Sequence, residues 1–270
     1  MTLTSAFCAT DSTAASSAPD PSHAGSPGGV CAIHQPNLLP RLSTVAKLYA
    51  ADRWIVLDDV QFARRDYQHR ARLAALDEPA RQQWLTLPTR LPHGRPTPID
   101  QARLAEPGRS RRTVSLLTRQ YYGRSRYWPA VRDVLDAVLD QFEDTDRVSD
   151  IAKASTVALL TALVWGGEVL RSSTIPTRVG RSERLADLAA ATSSTHYLCG
   201  TGGWRYLDTQ AFDGHGIQVL SFHTPVDTGD PLWRWARHIS SLWALSRIGP
   251  EALVAMLTAQ RDHRLMGGFT

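Results

Sequence analysis

Two short apolar runs, each ending abruptly in polar residues, constrain the fold of this chain more than any other feature. The first spans residues 30–33 and ends at His34, and the second spans residues 54–57 and ends at Asp58 and Asp59. Apolar runs of this length predict buried strands. Because ligands of open α/β sheets bind beyond the carboxyl ends of the strands, we expect the imidazole and the two carboxylates near one rim of a sheet.

A helix is predicted between these two strands, over residues 42–51, because Leu42, Val45 and Leu48 fall on one helical face. Strands and helices continue to alternate along the chain, which is typical of a parallel sheet. The later strands are predicted near residues 70–75, 84–88, 169–172, 196–199 and 217–222, and the later helices near 109–122, 129–143, 150–165, 182–192, 208–213, 237–246 and 249–261. We therefore predict an α/β fold with a mostly parallel sheet flanked by helices, Rossmann-like and three-layered, with a helix-rich C-terminal half.

Composition divides the 270 residues into two parts. Residues 1–28 consist mainly of Ser, Thr, Ala, Pro and Gly, and Asp11 and Asp20 are their only charged side chains. Such a segment buries too little apolar area to offset the entropy lost on ordering. We predict a disordered tail over residues 1–28 and a single domain over residues 29–270.

Several protein classes are excluded by the sequence. No apolar run approaches the length of about 18 residues that a membrane span needs, and no secretory leader is recognisable. The cysteines, Cys8, Cys31 and Cys199, lack the spacing of a metal site or a disulfide framework. We expect a cytoplasmic protein without a membrane partner, and no motif requires a particular cofactor.

His34 is the first candidate for chemistry, because Pro36 ends strand pairing just after it and fixes the turn. An imidazole held there acts either as a general base or as a donor to a phosphate or carbonyl oxygen. The alternative is a histidine that only bonds loop backbone. Asp58 and Asp59 point in opposite directions along a strand, so one of them faces the cleft. That carboxylate orients His34, holds a divalent cation, or merely caps a turn.

Arginine makes up 28 of the 30 basic side chains, since only Lys47 and Lys153 are lysines. Either a genome-wide codon bias or a polyanionic partner explains this, and clustering distinguishes the two. In one cluster, which follows the predicted site strand, a tyrosine and a histidine are interleaved with arginines. Its members are Arg64, Arg65, Tyr67, His69, Arg70 and Arg72. A second comprises Arg103, Arg109, Arg111, Arg112, Arg119, Arg124 and Arg126. We favour phosphate or RNA binding for the first cluster and a solvated basic face for the second.

A glycine-rich segment over residues 200–203 is predicted to be a flexible loop whose backbone amides approach an anion. Gly200, Gly202 and Tyr206 are therefore candidate substrate-binding residues. Cys199, just before this loop, is either a nucleophile or a buried inert thiol.

Residues 30–40, 55–62 and 67–70 together resemble the opening of the WbqC-like protein family, and the similarity extends over about residues 30–255. The family's namesake lies among bacterial O-antigen genes, and other members accompany polysaccharide and natural-product clusters. The resemblance therefore implies biosynthetic group transfer onto an amino sugar or another amine. The family's functional residues match His34, Gln35, Pro36, Asp58, Asp59, Gln61 and Arg70. His69 departs from the family, which usually has Asn at this position.

The leading hypothesis is an acyl or aminoacyl transferase that moves its group from a phosphate-bearing carrier to a small amine or hydroxyl acceptor. The carrier is a coenzyme A thioester, a carrier-protein thioester or an aminoacyl-tRNA. His34 would be the general base, Asp58 or Asp59 would orient it, and Gln35 and Gln61 would donate to the developing oxyanion. Arg64, Arg65 and Arg70 would hold the carrier phosphates. Two alternatives remain: a non-catalytic RNA- or carrier-binding protein, and a hydrolase with Cys199 as nucleophile.

Overall fold

The computed structural model describes residues 28–225 and 229–267. The predicted disordered tail therefore lies, except for Gly28, outside the described residues. No helix in the described ranges is both long enough and apolar enough to cross a membrane.

The described segments alternate strands and helices. In chain order the strands are β1 (Val30–His34), β2 (Arg53–Val56), β3 (Arg70–Ala74), β4 (Gln82–Thr86), β5 (Thr89–Arg90), β6 (Arg103–Leu104), β7 (Glu168–Arg171), β8 (His196–Gly200) and β9 (Gln218–Phe222). The helices are α1 (Leu42–Tyr49), α2 (Pro107–Tyr122), α3 (Trp128–Asp144), α4 (Val148–Ala162), α5 (Arg181–Ala191), α6 (Thr201–Trp204), α7 (Gln210–Asp213), α8 (Pro231–Trp235) and α9 (Ser241–Gly267). Short 3₁₀ turns cover Ile99–Gln101 and Ser172–Thr174.

A five-stranded sheet in the order β7-β2-β1-β8-β9 forms the centre of the molecule, and all its neighbouring strands pair in parallel. The α/β prediction is therefore confirmed. From β1 the chain first builds the sheet outwards through β2 and β7, and then returns to place β8 on the other side of β1. This reversal leaves a crevice beyond the carboxyl ends of β1 and β8, where ligands bind in folds of this type.

Alternation along β1 separates the two faces of the sheet. Cys31 and Ile33 pack in one apolar cluster with Ala186 and Leu188 of α5. Ala32 faces the larger cluster on the other side, which includes residues of α1, α4 and α9. The sheet thus forms the middle of three layers, with helices on both faces.

Antiparallel pairs lie outside this sheet. β3 pairs with β4 and β5 pairs with β6, and the segment leading from β2 into β3 carries the first arginine cluster. The strand predictions near residues 70–75 and 84–88 agree with β3 and β4 to within two residues.

One prediction in the C-terminal half was wrong: residues 201–204 form the helical turn α6 instead of a flexible loop. The two helices predicted at the C-terminus are present as the two halves of α9, which meet at Gly249, where φ is 80° and ψ is 171°. A Cβ atom at Gly249 would collide with the ring of Tyr127, so both the backbone conformation and the packing require glycine there. α8 was not predicted, although Asp230 caps it by accepting from the Leu232 amide at 2.8 Å.

Candidate active site

A cavity of about 360 Å³ occupies the crevice between the carboxyl ends of β1 and β8. We call it the inner cavity. Its lining includes three cationic side chains, Arg41, Lys47 and Arg237, and no described acidic side chain contributes to it. A site of this charge favours anionic ligands.

His34, the last residue of β1, lies in the wall of the inner cavity. Its Nε2 atom is buried and has no hydrogen-bond partner among the described residues. Burial, with a further effect from Lys47 and Arg41, holds the pKa of His34 well below its usual value. The imidazole is therefore neutral at physiological pH, although a side-chain hydrogen bond with Asn37 opposes the shift. Nε2 is shielded from solvent in this structure.

Lys47 of α1 reaches the same cavity although its side chain is buried. Its Nζ atom donates to the Ile33 carbonyl oxygen at 3.1 Å and lies 3.4 Å from Nδ1 of His34. Burial lowers the pKa of Lys47 to about 8, and the nearby thiols of Cys199 and Cys31 oppose this shift. Lys47 thus titrates close to neutral pH, which an arginine at this position would not do.

The protonation state of Lys47 decides what His34 offers to a ligand. When Lys47 is an ammonium group, it donates to Nδ1, so the neutral imidazole carries its proton on Nε2 and is a donor. When Lys47 is neutral, Nδ1–H donates to Nζ, and Nε2 becomes a proton acceptor. Which nitrogen of His34 carries the proton therefore depends on the protonation state of Lys47.

The sequence did not single out Lys47 as a site residue. The available signal was its rarity: in a chain with 28 arginines, a lysine on the helix that follows the first site strand stands out. A lysine is the cation whose charge burial can remove.

Asp58 and Asp59 lie at the end of β2, as predicted, but other side chains bind them. The fully buried Asp58 carboxylate accepts from Arg171 at 2.8 Å and from the Ser173 amide at 3.2 Å. Asp59 forms an ion pair with Arg184.

Further contacts join the two carboxylates into one network. The Ser172 hydroxyl contacts both Asp58 and Asp59, and Arg171 also pairs with Asp150 of α4. Within the described ranges, neither Asp58 nor Asp59 forms a hydrogen bond with His34. The predicted orientation of His34 by a carboxylate is therefore replaced by its contact with Lys47.

Gln35 and Gln61 line a second space of about 510 Å³, which we call the middle cavity. It shares Leu57, Leu185 and Gly202 with the inner cavity. Gln35 Oε1 accepts from Gln68 Nε2 at 2.7 Å. Neither glutamine lines the inner cavity with the His34–Lys47 pair, so the structure does not bring the two predicted oxyanion donors to it.

Three arginines border a third space of about 630 Å³, the outer cavity. They are Arg64, Arg65 and Arg95, all exposed. Gln61 lines both the middle and the outer cavity, and its Nε2 donates to the Arg95 carbonyl oxygen at 2.8 Å. The structure thus brings Arg64 and Arg65 together with a third arginine that the sequence had not indicated.

Arg70, Tyr67 and His69 line none of these three cavities. The Arg70 guanidinium donates to the carbonyl oxygens of Asp66 and Arg65 and lies 4.2 Å from the ring centre of Trp84. It therefore fixes the backbone that carries Arg65.

Tyr67 and His69 pack in the same segment. Tyr67 lies beneath the Arg41 guanidinium, 4.0 Å from it, and His69 is buried beside the ring of Phe62. Burial lowers the pKa of His69 to about 4, with smaller contributions from Arg70 and Arg64. Tyr67 and His69 therefore pack against residues that line the cavities, Arg41 and Phe62, instead of facing a ligand themselves.

The glycine segment contributes to two cavities. Gly200 lines the inner cavity, Gly202 lies between the inner and middle cavities, and Tyr206 lines the middle cavity with 67% of its surface exposed. Cys199 also reaches the inner cavity but is buried, and burial raises the pKa of its thiol. A protonated thiol is a weak nucleophile, so the environment of Cys199 favours an inert role.

The second arginine cluster differs from the first in its partners. Arg103 pairs with Asp146 at 2.6 Å, and Arg111 pairs with Glu143 at 3.1 Å. Nearby carboxylates therefore neutralise the positive charge of these two arginines. In the described part of the chain, no group of three or more His, Cys, Asp or Glu side chains is arranged to hold a metal ion.

Comparisons with known proteins show the family of the chain. The family model described as the WbqC-like protein family matches residues 35–232. The chain is 24% identical over 196 residues to the uncharacterized protein Rv1507c of Mycobacterium tuberculosis, an alignment that covers 71% of this chain and 80% of the relative. No solved structure matches the chain.

Proposed function

Since the chain belongs to the WbqC-like protein family, we propose that it is a biosynthetic group transferase that reacts at the His34–Lys47 pair. It moves an acyl or aminoacyl group from a phosphate-bearing carrier to an amine or hydroxyl acceptor. The observation that carries this proposal is the contact, in the wall of a cationic cavity, between Nδ1 of His34 and a lysine whose pKa is about 8. Nε2 of His34 is shielded from solvent in this structure, so the reaction requires the imidazole to turn towards the cavity.

The proton path follows from this pair. The acceptor nitrogen attacks the carbonyl carbon of the donor and forms the new C–N bond, while its proton passes to Nε2 of His34. The proton on Nδ1 passes to Nζ of Lys47. The C–S or C–O bond to the carrier then breaks, the leaving group takes the proton from Nε2, and Lys47 returns a proton to Nδ1. Nothing is consumed beyond donor and acceptor, so the pair is regenerated.

The surrounding charges support such a reaction. Negative charge develops on the carbonyl oxygen during the attack, and Arg41 and Arg237 in the same cavity supply positive potential. Burial, Lys47 and Arg41 also disfavour a lasting positive charge on His34, which keeps the imidazole neutral between turnovers.

Turnover of a donor panel tests the proposal. The panel contains acetyl- and glycyl-coenzyme A, an acylated carrier protein and a glycyl-tRNA, with glucosamine and hydroxylamine as acceptors, and the transferred product is quantified by mass spectrometry. We expect transfer that depends on the acceptor, with a rate that rises towards pH 8 as Lys47 loses its proton.

His34→Ala is expected to lower kcat by about 100-fold or more, the usual contribution of general-base catalysis. Cys199→Ser is the matched control and is expected to retain activity. Unchanged turnover in His34→Ala would exclude the proposed base. Binding of a carrier without transfer from any donor would favour a non-catalytic binding protein instead.

A further inference from the structure

The three cavities adjoin one another through common lining residues, and we call them together the groove. The inner and middle cavities share several residues, among them Leu57 and Leu185. The middle and outer cavities have Gln61 in common. An extended ligand that passes Gln61 would reach all three.

The outer end of this groove is positively charged, like the inner end. Arg64, Arg65 and Arg95 converge on the outer cavity, and none of them forms an ion pair with a described residue. No described carboxylate lines the outer cavity. Unpaired guanidinium groups around one concavity are the arrangement that phosphate oxygens require.

The middle cavity has a different character, because apolar side chains form much of its wall. They are Leu57, Val60, Leu185 and Leu207. Of the two arginines of this cavity, Arg184 pairs with Asp59, whereas Arg181 lies 5.4 Å from the ring centre of Tyr206 and forms no ion pair with a described residue. The groove thus places a largely apolar stretch between the reacting pair and the phosphate-binding end.

We infer that the donor is a phosphopantetheine thioester, an inference that rests on the proposed function and specifies its carrier. The thioester carbonyl lies at His34, the uncharged pantetheine arm lies along the middle cavity, and the phosphates bind Arg64, Arg65 and Arg95. A charged tRNA fits this pattern less well, because its nearest phosphates lie within one nucleotide of the reacting ester.

Coenzyme A and the prosthetic arm of a carrier protein share this chemistry. In either case, the acceptor amine forms a bond with the thioester carbon, the C–S bond breaks, and the sulfur leaves as a thiol after taking the acceptor's proton by way of His34. No further reactant is needed.

Calorimetric titration of the full-length protein, without acceptor, tests the inference. The probes are coenzyme A, pantetheine, one acyl carrier protein in its holo and apo forms, and a single-stranded RNA ending in CCA. We expect binding of coenzyme A or of the holo carrier, and about tenfold or greater weakening in Arg64→Ala/Arg65→Ala, because charge-assisted bonds to phosphate are lost. Preference for coenzyme A or for the holo carrier identifies the source of the arm.

The matched control is Arg112→Ala/Arg119→Ala, which removes two exposed arginines of α2 outside the groove and is expected to leave Kd unchanged. Arg95→Gln provides a second variant if the double substitution fails to fold. Equal affinity for pantetheine and coenzyme A, unchanged affinity in the groove variants, or binding of neither carrier would overturn the inference. Tight binding only of a single-stranded RNA ending in CCA would also overturn it. Transfer from glycyl-tRNA in that case would leave the proposed function standing.

Discussion

The ends of the neighbouring strands β1 and β2 carry polar groups with opposite surroundings. At the end of β1, His34 lies in a cavity with one nitrogen unpartnered, beside a lysine whose charge burial destabilises. At the end of β2, the fully buried Asp58 is bound by Arg171, Ser172 and Ser173. Unsatisfied buried polar groups cost folding free energy, whereas paired ones hold elements together. We therefore expect His34, at the end of β1, to take part in the reaction, and Asp58, at the end of β2, to stabilise the fold.

The largest expected effect on stability is at Asp58, the buried carboxylate at the end of β2. Asp58→Ala removes the acceptor of Arg171 and is expected to lower the free energy of unfolding by about 3–5 kcal/mol, since it truncates a buried ion pair. Urea denaturation followed by circular dichroism measures this loss. Asp59→Asn is the control, with a smaller expected effect because the Asp59 side chain is 29% exposed. Equal stability of Asp58→Ala and the wild type would refute the assignment.

Lys47→Met is expected to act in the opposite direction and stabilise the protein by up to about 3 kcal/mol at pH 7. The folded state lowers the pKa of Lys47 from 10.5 to about 8, so between these values the unfolded state binds more protons. The free energy of unfolding of the wild type therefore rises between pH 8 and 10.5. The difference between the wild type and the more stable Lys47→Met variant becomes smaller over this range. Urea denaturation of both proteins across this range measures the difference.

The pKa of Lys47 can also be measured directly, because the chain contains only Lys47 and Lys153 as lysines. Reductive ¹³C-methylation followed by NMR titration is expected to show a lysine that titrates near pH 8, and Lys153→Arg assigns the signal. If both lysines titrated above pH 10, the proposed proton path would be abandoned.

A moderate effect is expected at His69, behind the outer cavity. Its pKa is lowered from 6.5 to about 4 in the fold, so the unfolded state binds the extra proton first on acidification. The wild type should lose about 2 kcal/mol of stability between pH 6.5 and 4 relative to His69→Asn. Thermal denaturation at a series of pH values measures it, and parallel pH curves for the two proteins would contradict the assignment.

The smallest effect on stability is expected at His34, at the end of β1. His34→Ala should change the free energy of unfolding by only about 1–2 kcal/mol, because the imidazole makes one long contact with Lys47 and one side-chain hydrogen bond with Asn37. The same urea denaturation assay checks this value. A loss as large as that of Asp58→Ala would mean that His34 is structural.

Short-range sequence patterns were sufficient to predict the first strands and helix and the position of the polar residues that follow the strands. The apolar runs and the helical face between them gave β1, α1 and β2 to within two residues, and the polar residues ending each run were correctly placed at one rim. The glycine segment was misjudged because glycine permits a helical turn as readily as a loop once packing favours it.

By itself, the sequence determined the α/β class, the family and the positions of His34 and Asp58 at adjacent strand ends, because these depend on periodicity and local motifs. Only the tertiary structure decided which groups meet them. Lys47 joins His34 from the next helix, and Arg171 reaches Asp58 across 113 residues of chain. The order of strands in the sheet sets these contacts, and strand order depends on the packing of the whole fold instead of any single segment.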